Sequence, residues 1–187
     1  MADAPALRTL GAEDWRLYRD LRLRALADSP DAFGGTWATE TARPDAEWAR
    51  RLAPTPDTPS NLPLVAEVRG EPVGLGWGRL DASRPGVAAL YQMWVAPTHR
   101  GRGVGHTLLE AVIAWATSQH AASLELSVAC GDTPARRLYE RAGFTPVGDP
   151  GPLRPGSTTL AQPMRLALRP RPDRAAAPAP PSHRVGD

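Results

Sequence analysis

The sequence predicts an α/β domain on a mixed β-sheet, and three observations carry that expectation. Residues 87–95, 104–118 and 124–128 read in series as strand, helix and strand, the unit that brings strands parallel through a right-handed crossover. Ahead of it, apolar runs at 64–68 and 73–80 flank Arg69-Gly70-Glu71-Pro72, a short turn that folds them antiparallel. Helical periodicity fills the stretches around these strands, in a chain of 187 residues that is long enough for a core of its own.

Taken in order, 7–10 is a short opening strand. Over 12–27, Leu17, Leu21 and Ala25 recur at helical spacing beside Tyr18 and Leu26, and the interleaved arginines form the wet face. Ser29-Pro30 breaks that helix, and 31–35 form a flexible corner. A second helical region, 37–52, is interrupted at Pro44, which can restart it in the first turn, where proline's missing N–H costs nothing. The prolines of 54–63 predict a loop. In strand 73–80, Gly74, Gly76 and Gly78 alternate along one face and predict close approach of a ligand or another backbone.

After an Arg84-Pro85-Gly86 turn, the nearly unbroken apolar character of 87–95 implies burial on both faces, and Pro97 ends the strand. Helix 104–118 carries Val104, Leu108, Val112 and Trp115 on one stripe, widened by Leu109 and Ile113. Asp132 or Thr133 caps the next helix, with Pro134 in its first turn and Gly143 as its stop. A strand begins in 144–147, a Gly/Pro-rich loop fills 148–160, and 164–168 closes the sheet. The domain is expected to span 1–168, and the Pro/Ala/Arg-rich 169–187, with almost nothing to bury, is expected to be a disordered tail.

Composition narrows the function. All 22 basic residues are arginine, which excludes Schiff-base, pyridoxal-phosphate and P-loop lysine chemistry. A net charge of +2 gives nucleic acid little purchase. No apolar run approaches the roughly 18 residues of a membrane span, and Met-Ala-Asp-Ala-Pro lacks the regions of a secretory signal. The expectation is a cytoplasmic protein with no membrane partner, no nucleic-acid partner and no metal. Cys130, the one cysteine, has no histidine and carboxylate pairing in view and reads as an inert thiol.

The strongest chemical signal is 93–106, where an apolar strand runs through a proline stop into an Arg/Gly loop that opens a helix. Gly101, Gly103 and Gly105 lack a Cβ, so the backbone N–H groups of 101–106 can close on an anion at the positive helix end, and Arg100 and Arg102 add cationic donors. A Walker A loop would need a lysine where His106-Thr107 stand. A dinucleotide loop would need a further glycine at 106 or 108, although Glu125 stands about twenty residues on, where a ribose-binding carboxylate is wanted. A glycine-rich turn that binds nothing also stays open on the loop alone.

A second element at Asp132-Thr133-Pro134-Ala135-Arg136-Arg137-Leu138-Tyr139-Glu140-Arg141-Ala142-Gly143-Phe144 joins the first, and together they resemble the acetyl-CoA signatures of the Gcn5-related N-acetyltransferase (GNAT) family. Arg100, Gly103 and Gly105 match its Arg-x-x-Gly-x-Gly loop; Ala135, Leu138, Tyr139, Gly143 and Phe144 match the other signature, with Asp132 where asparagine is usual. That resemblance implies a mixed sheet split centrally between the fourth and fifth strands, with helices on both faces. It implies acetyl-CoA as co-substrate, its pyrophosphate on Arg100, Gly101, Arg102, Gly103, Val104, Gly105 and His106. The pantetheine arm would lie along the main chain of Met93, Trp94 and Val95, and Val95 N–H would face the oxyanion.

The implied reaction is direct attack of a primary amine on the thioester in a ternary complex, with Tyr139 as general acid; Tyr139 also reads as an aromatic packed with Ala135, Leu138 and Ala142. Relatives place a glutamate on the fourth strand as base, but 88–92 carry none. Glu40 is the leading substitute, then Glu67 and Asp81, each of which also reads as a solvated surface charge. His120 reads as a helix cap and His99 as a loop residue. Trp37 and Trp77 are candidates to stack on a substrate. A small-molecule amine, including aminoglycoside-like antibiotics, is the first expected acceptor, and protein N-termini or lysines the second. The rival is a non-catalytic acetyl-CoA sensor. Exposed strand edges permit a homodimer.

Overall fold

A computed structural model describes residues 4–53 and 61–168; the predicted 169–187 tail and most of the proline-rich loop lie outside the described residues. Eight strands form one sheet: β1 (Ala6–Thr9), β2 (Asn61–Val68), β3 (Glu71–Leu80), β4 (Val87–Val95), β5 (Ser123–Ala129), β6 (Thr145–Pro146), β7 (Gly151–Pro152) and β8 (Leu160–Ala167). Their order is β1-β2-β3-β4-β5-β8-β6, with β7 on β8. Every pairing is antiparallel except β4 with β5, which makes the sheet mixed as expected. The helices are α1 (Trp15–Asp28), α2 (Trp37–Thr41), α3 (Asp45–Leu52), α4 (Val104–Ser118) and α5 (Pro134–Arg141).

The central split is visible in the register. β4 and β5 pair only through Val87 with Ser123, Ala88 with Leu124 and Ala89 with Glu125, and then part. A bulge on β4 accompanies the parting: Leu75 opposes Trp94 and Trp77 opposes Tyr91, so Gln92 and Met93 together face the single residue Gly76. Gln92 takes a left-handed φ of 54°, unusual for a residue with a Cβ, and its carboxamide oxygen accepts a 2.9 Å hydrogen bond from the Tyr18 hydroxyl. The extra residue bends the strand, and here the bend falls where β4 leaves β5.

Helices cover both faces. Gly74, Gly76 and Gly78 form a flat track under α4: a Cβ on Gly74 would meet Leu108 at 3.0 Å, and one on Gly78 would meet the Trp115 ring at 2.7 Å. The close approach read from the alternating glycines is therefore that of a helix. On the opposite face, where Trp77 points, Tyr18 of α1 lies edge-on to Trp77 at 5.2 Å and to Trp48 of α3 at 5.5 Å.

Several boundaries differ from the sequence reading. The region 12–27 begins as a 3-10 turn, Ala12–Asp14, before α1. Region 37–52 is two helices; Pro44 is the N-cap of α3 with an extended ψ of 149°, so it stands outside the first turn. The last strand begins earlier than 164 and pairs along all of β5 before meeting β6, so it lies inside the sheet. Pro163 had masked its first half. Thr133 alone caps α5, accepting from Arg136 N–H at 3.1 Å, while exposed Asp132 pairs with Arg137 at 2.6 Å.

Candidate active site

β4 ends at Val95, and a 3-10 turn, Pro97–His99, carries the chain into the glycine loop. Gly101 and Gly103 hold φ of 71° and 86°, with nothing within 4 Å of where a Cβ would stand. Gly103 is the N-cap of α4 and supplies no side-chain acceptor; the first N–H bonded inside the helix is that of Thr107, to Gly103 C=O at 3.0 Å. The N–H groups of Val104, Gly105 and His106 thus have no helical partner and face out at the positive end of a fifteen-residue helix. A Cβ on Gly105 would sit 3.4 Å from Leu138 and 3.6 Å from both Met93 and Val95, so the two sequence signatures meet at this helix start.

The Arg100 side chain is engaged within the fold. Its Nε donates to Val95 C=O at 3.0 Å, and its Nη2 pairs with Asp28, whose carboxylate also accepts from Trp94 Nε1 at 2.9 Å and Ser29 Oγ at 2.7 Å. The guanidinium ties the end of β4 to the end of α1, leaving exposed Arg102 as the loop's outward cation. Burial pushes the Asp28 carboxyl up, but the hydrogen bonds from Ser29, Trp94 and Arg100 outweigh it and hold the group below its ordinary range.

Where the strands part, a cavity of about 500 Å³ opens between 89–92 of β4 and 125–127 of β5, roofed by Phe33, Gly34 and Gly35. Glu40 lines it and is buried, which corrects its reading as a solvated charge: its Oε2 lies 3.2 Å from Arg43 Nε and 3.5 Å from Arg51 Nη1. A Cβ on Gly35 would stand 3.0 Å from Glu40 Oε1. Glu67 and Asp81 do not line the cavity; Glu67 pairs with Arg8, and Asp81 is taken by Ser83 and Arg84.

Tyr139 lies outside the cavity lining, buried and tilted against Phe144 at 5.8 Å. Burial pushes its phenol up, so it carries its proton at neutral pH. Trp77 is a core residue packed on Tyr18 and is not available for stacking; Trp37 is exposed but does not line the cavity. His120 takes the left-handed turn after α4. Exposed Cys130 joins no group of three or more potential metal ligands among the described residues, and no described helix is long and apolar enough to cross a membrane.

Arg22 is the residue that sequence reasoning passed over as wet face. It is 3% exposed, lines the cavity, and stacks its guanidinium 4.5 Å above the Phe33 ring. Its Nε and Nη1 are buried with no hydrogen-bond partner. Burial pushes its pKa down; Tyr18 and Glu40 oppose that, and the charge of Arg51 adds to it. The signal was legible, since Tyr18, Leu21, Arg22 and Ala25 share one helical stripe and an arginine interrupts it.

The mixed sheet split between β4 and β5, with an amide-bare helix start at the end of β4, is the arrangement that the resemblance of the two sequence motifs implies. The profile of the Acetyltransferase (GNAT) family matches residues 22–144, and the chain belongs to that family. The mycothiol acetyltransferase of Thermobispora bispora is 33% identical over 136 residues, which is 71% of this chain and 43% of that protein. A streptothricin acetyltransferase from Escherichia coli is 35% identical over 66 residues, 35% of this chain and 38% of that one. The chain thus spans less than half the length of these curated relatives. In fold it is similar to yncA of Salmonella typhimurium, solved with acetyl-CoA, at a TM-score of 0.69, 20% identity and 98% coverage of each chain.

Proposed function

We propose that the chain transfers an acetyl group from acetyl-CoA to a primary amine of a small molecule, with residues up to 168 as the working unit. The observation that carries this reading is the cleft made by the parting of β4 and β5: a half-open cavity lies along it, and the β4 end leads straight to the amide-bare start of α4. A half-open cavity of about 500 Å³ is the size of a small-molecule site. The names of the mycothiol and streptothricin relatives agree with a small acceptor.

Acetyl-CoA supplies the activated acetyl thioester. The N–H groups of Val104, Gly105 and His106, with Gly101, Arg102 and Gly103, would hold its diphosphate. Main-chain groups of Met93, Trp94 and Val95, left without β5 as a neighbour, would take the pantetheine arm as an added strand, and Val95 N–H would stabilise the oxyanion. Arg100 ties the end of β4 to α1 through Val95 C=O and Asp28. Glu40 would draw the proton from the incoming ammonium, and Tyr139 would return one to the departing sulfur.

The test is thiol release from acetyl-CoA across an amine panel, with mass spectrometry of the products. One released thiol per acetylated amine supports transfer. Calorimetric binding of acetyl-CoA with no thiol release for any amine would instead establish the sensor, a reading favoured by the engagement of Glu40 with two arginines.

A further inference from the structure

We infer that the acceptor carries a carboxylate as well as its amine, and that Arg22 and Arg51 at the cavity wall bind it. This rests on the small-molecule transfer reading and names the acceptor's class.

The charges around the cavity do not cancel. Arg22, Arg51 and Arg84 line it, against only Glu40 and Glu125. Both carboxylates are already shared with arginines that do not line it: Glu40 with Arg43, and Glu125 with Arg165 at 2.8 Å as well as with Arg84 at 2.7 Å. Arg84 is further held by Asp81 at 2.7 Å. Arg51 keeps a 3.5 Å contact to Glu40 and donates to Tyr18 Oη at 3.3 Å. Arg22 has no carboxylate within ion-pair distance among the described residues, although it is the most deeply buried of the three.

A buried guanidinium with unpaired N–H groups is costly unless an anion completes it. Its planar fork matches a carboxylate, whose two oxygens accept parallel N–H bonds. Gly35 leaves room beside the guanidinium, because a Cβ there would lie 3.2 Å from Arg22 Nη2 and 3.0 Å from Glu40 Oε1. With Phe33 roofing the same guanidinium, the site fits an amino acid or dipeptide that presents its carboxylate to Arg22 and its amine toward the strand split. The surplus positive charge disfavours a polycation such as an aminoglycoside.

The test uses matched pairs, free amino acids and dipeptides against their carboxamides, in a carboxylate-free buffer. Binding to the wild-type protein by calorimetry comes first, because it does not depend on turnover. The acid of the best pair is expected to bind at least about tenfold tighter than its amide. Arg22→Met should erase that difference and leave acetyl-CoA affinity unchanged, and Arg22→Lys should restore part of it. Amides binding as well as acids, a polycationic amine preferred over both, or acetyl-CoA affinity falling in Arg22→Met would overturn the inference. Acid-selective binding without thiol release from acetyl-CoA would leave the anion site standing and sink the transfer reading alone.

Discussion

Replacing Gly78 with alanine tests whether the glycine track of β3 sets the height of α4 above the sheet. The new Cβ would lie 2.7 and 2.8 Å from Trp115 Cζ3 and Cε3 and 3.1 Å from Val112 Cγ1. Carbon atoms rest about 3.5–4.0 Å apart, so the indole must withdraw by roughly 0.8 Å or more. Val112 crowds the same Cβ, and Leu108 and Val104 of the same helix bear on Gly74, so a shift of the helix would be felt along the whole track. Such overpacking costs about 1–3 kcal/mol, while the lost freedom of the unfolded chain returns about 0.4–1 kcal/mol. A net loss of about 1–2 kcal/mol is expected, or about 2–8 °C in Tm at roughly 2–4 °C per kcal/mol. Urea unfolding measures the first and calorimetry the second. Gly76→Ala, whose nearest neighbour would be Leu108 at 3.6 Å, is the matched control and should be near neutral. Lifting α4 also displaces the amide-bare helix start, so Gly78→Ala should weaken acetyl-CoA binding while Gly76→Ala should not. A Gly78→Ala protein as stable as wild type, or one whose loss is the same in a Trp115→Leu background, would refute the packing account.

Tyr139→Phe should lower kcat about 10²-fold or more with little change in KM for acetyl-CoA or in Tm, because the hydroxyl has no protein hydrogen bond among the described residues; equal loss in both kinetic constants would mark packing as its role. Gly103→Ala forces a Cβ into φ of 86° and should cost about 1–2 kcal/mol along with coenzyme affinity, read by urea unfolding and calorimetry. The Asp28 carboxyl is depressed in the fold, so its stabilisation is present above its unfolded value of about 3.9 and is lost as pH falls further, through the folded value. Acid unfolding of Asp28→Asn should therefore show a shallower loss of stability below about pH 4 than wild type. If the two curves stay parallel, the Asp28–Arg100–Trp94 cluster contributes nothing to the acid limb.

The sheet-and-helix series from 87 to 129 was legible because each element carries one unbroken period: an apolar strand, a striped helix, an apolar strand. The glycine loop was equally plain, since three alternate glycines at a strand-to-helix join have few uses. The bulge at Gln92 left no such trace, because it is held by Tyr18, a contact across 74 residues of chain. β8 was shortened by Pro163, and nothing local could reveal that it would insert beside β5. The Arg100 side chain gave no hint of its fold partner, because Asp28 lies 72 residues away. The cavity charges escaped too, since whether an arginine is bathed in water or walled in depends on α1 meeting the corner at Phe33.

The place of β8 between β5 and β6 bears on how this molecule is made. A ribosome delivers β5 and β6 first, yet β6 has no strand to pair with, and β5 only its short pairing with β4, until the segment around residues 160–167 has emerged. During that interval the nascent chain presents a bare strand flank, the kind of surface that recruits chaperones or pairs with a sister chain. Completion of the β5–β8–β6 part of the sheet then waits on that segment, and codons or variants that delay or weaken 160–167 should reduce soluble yield far more than their small share of the sequence suggests.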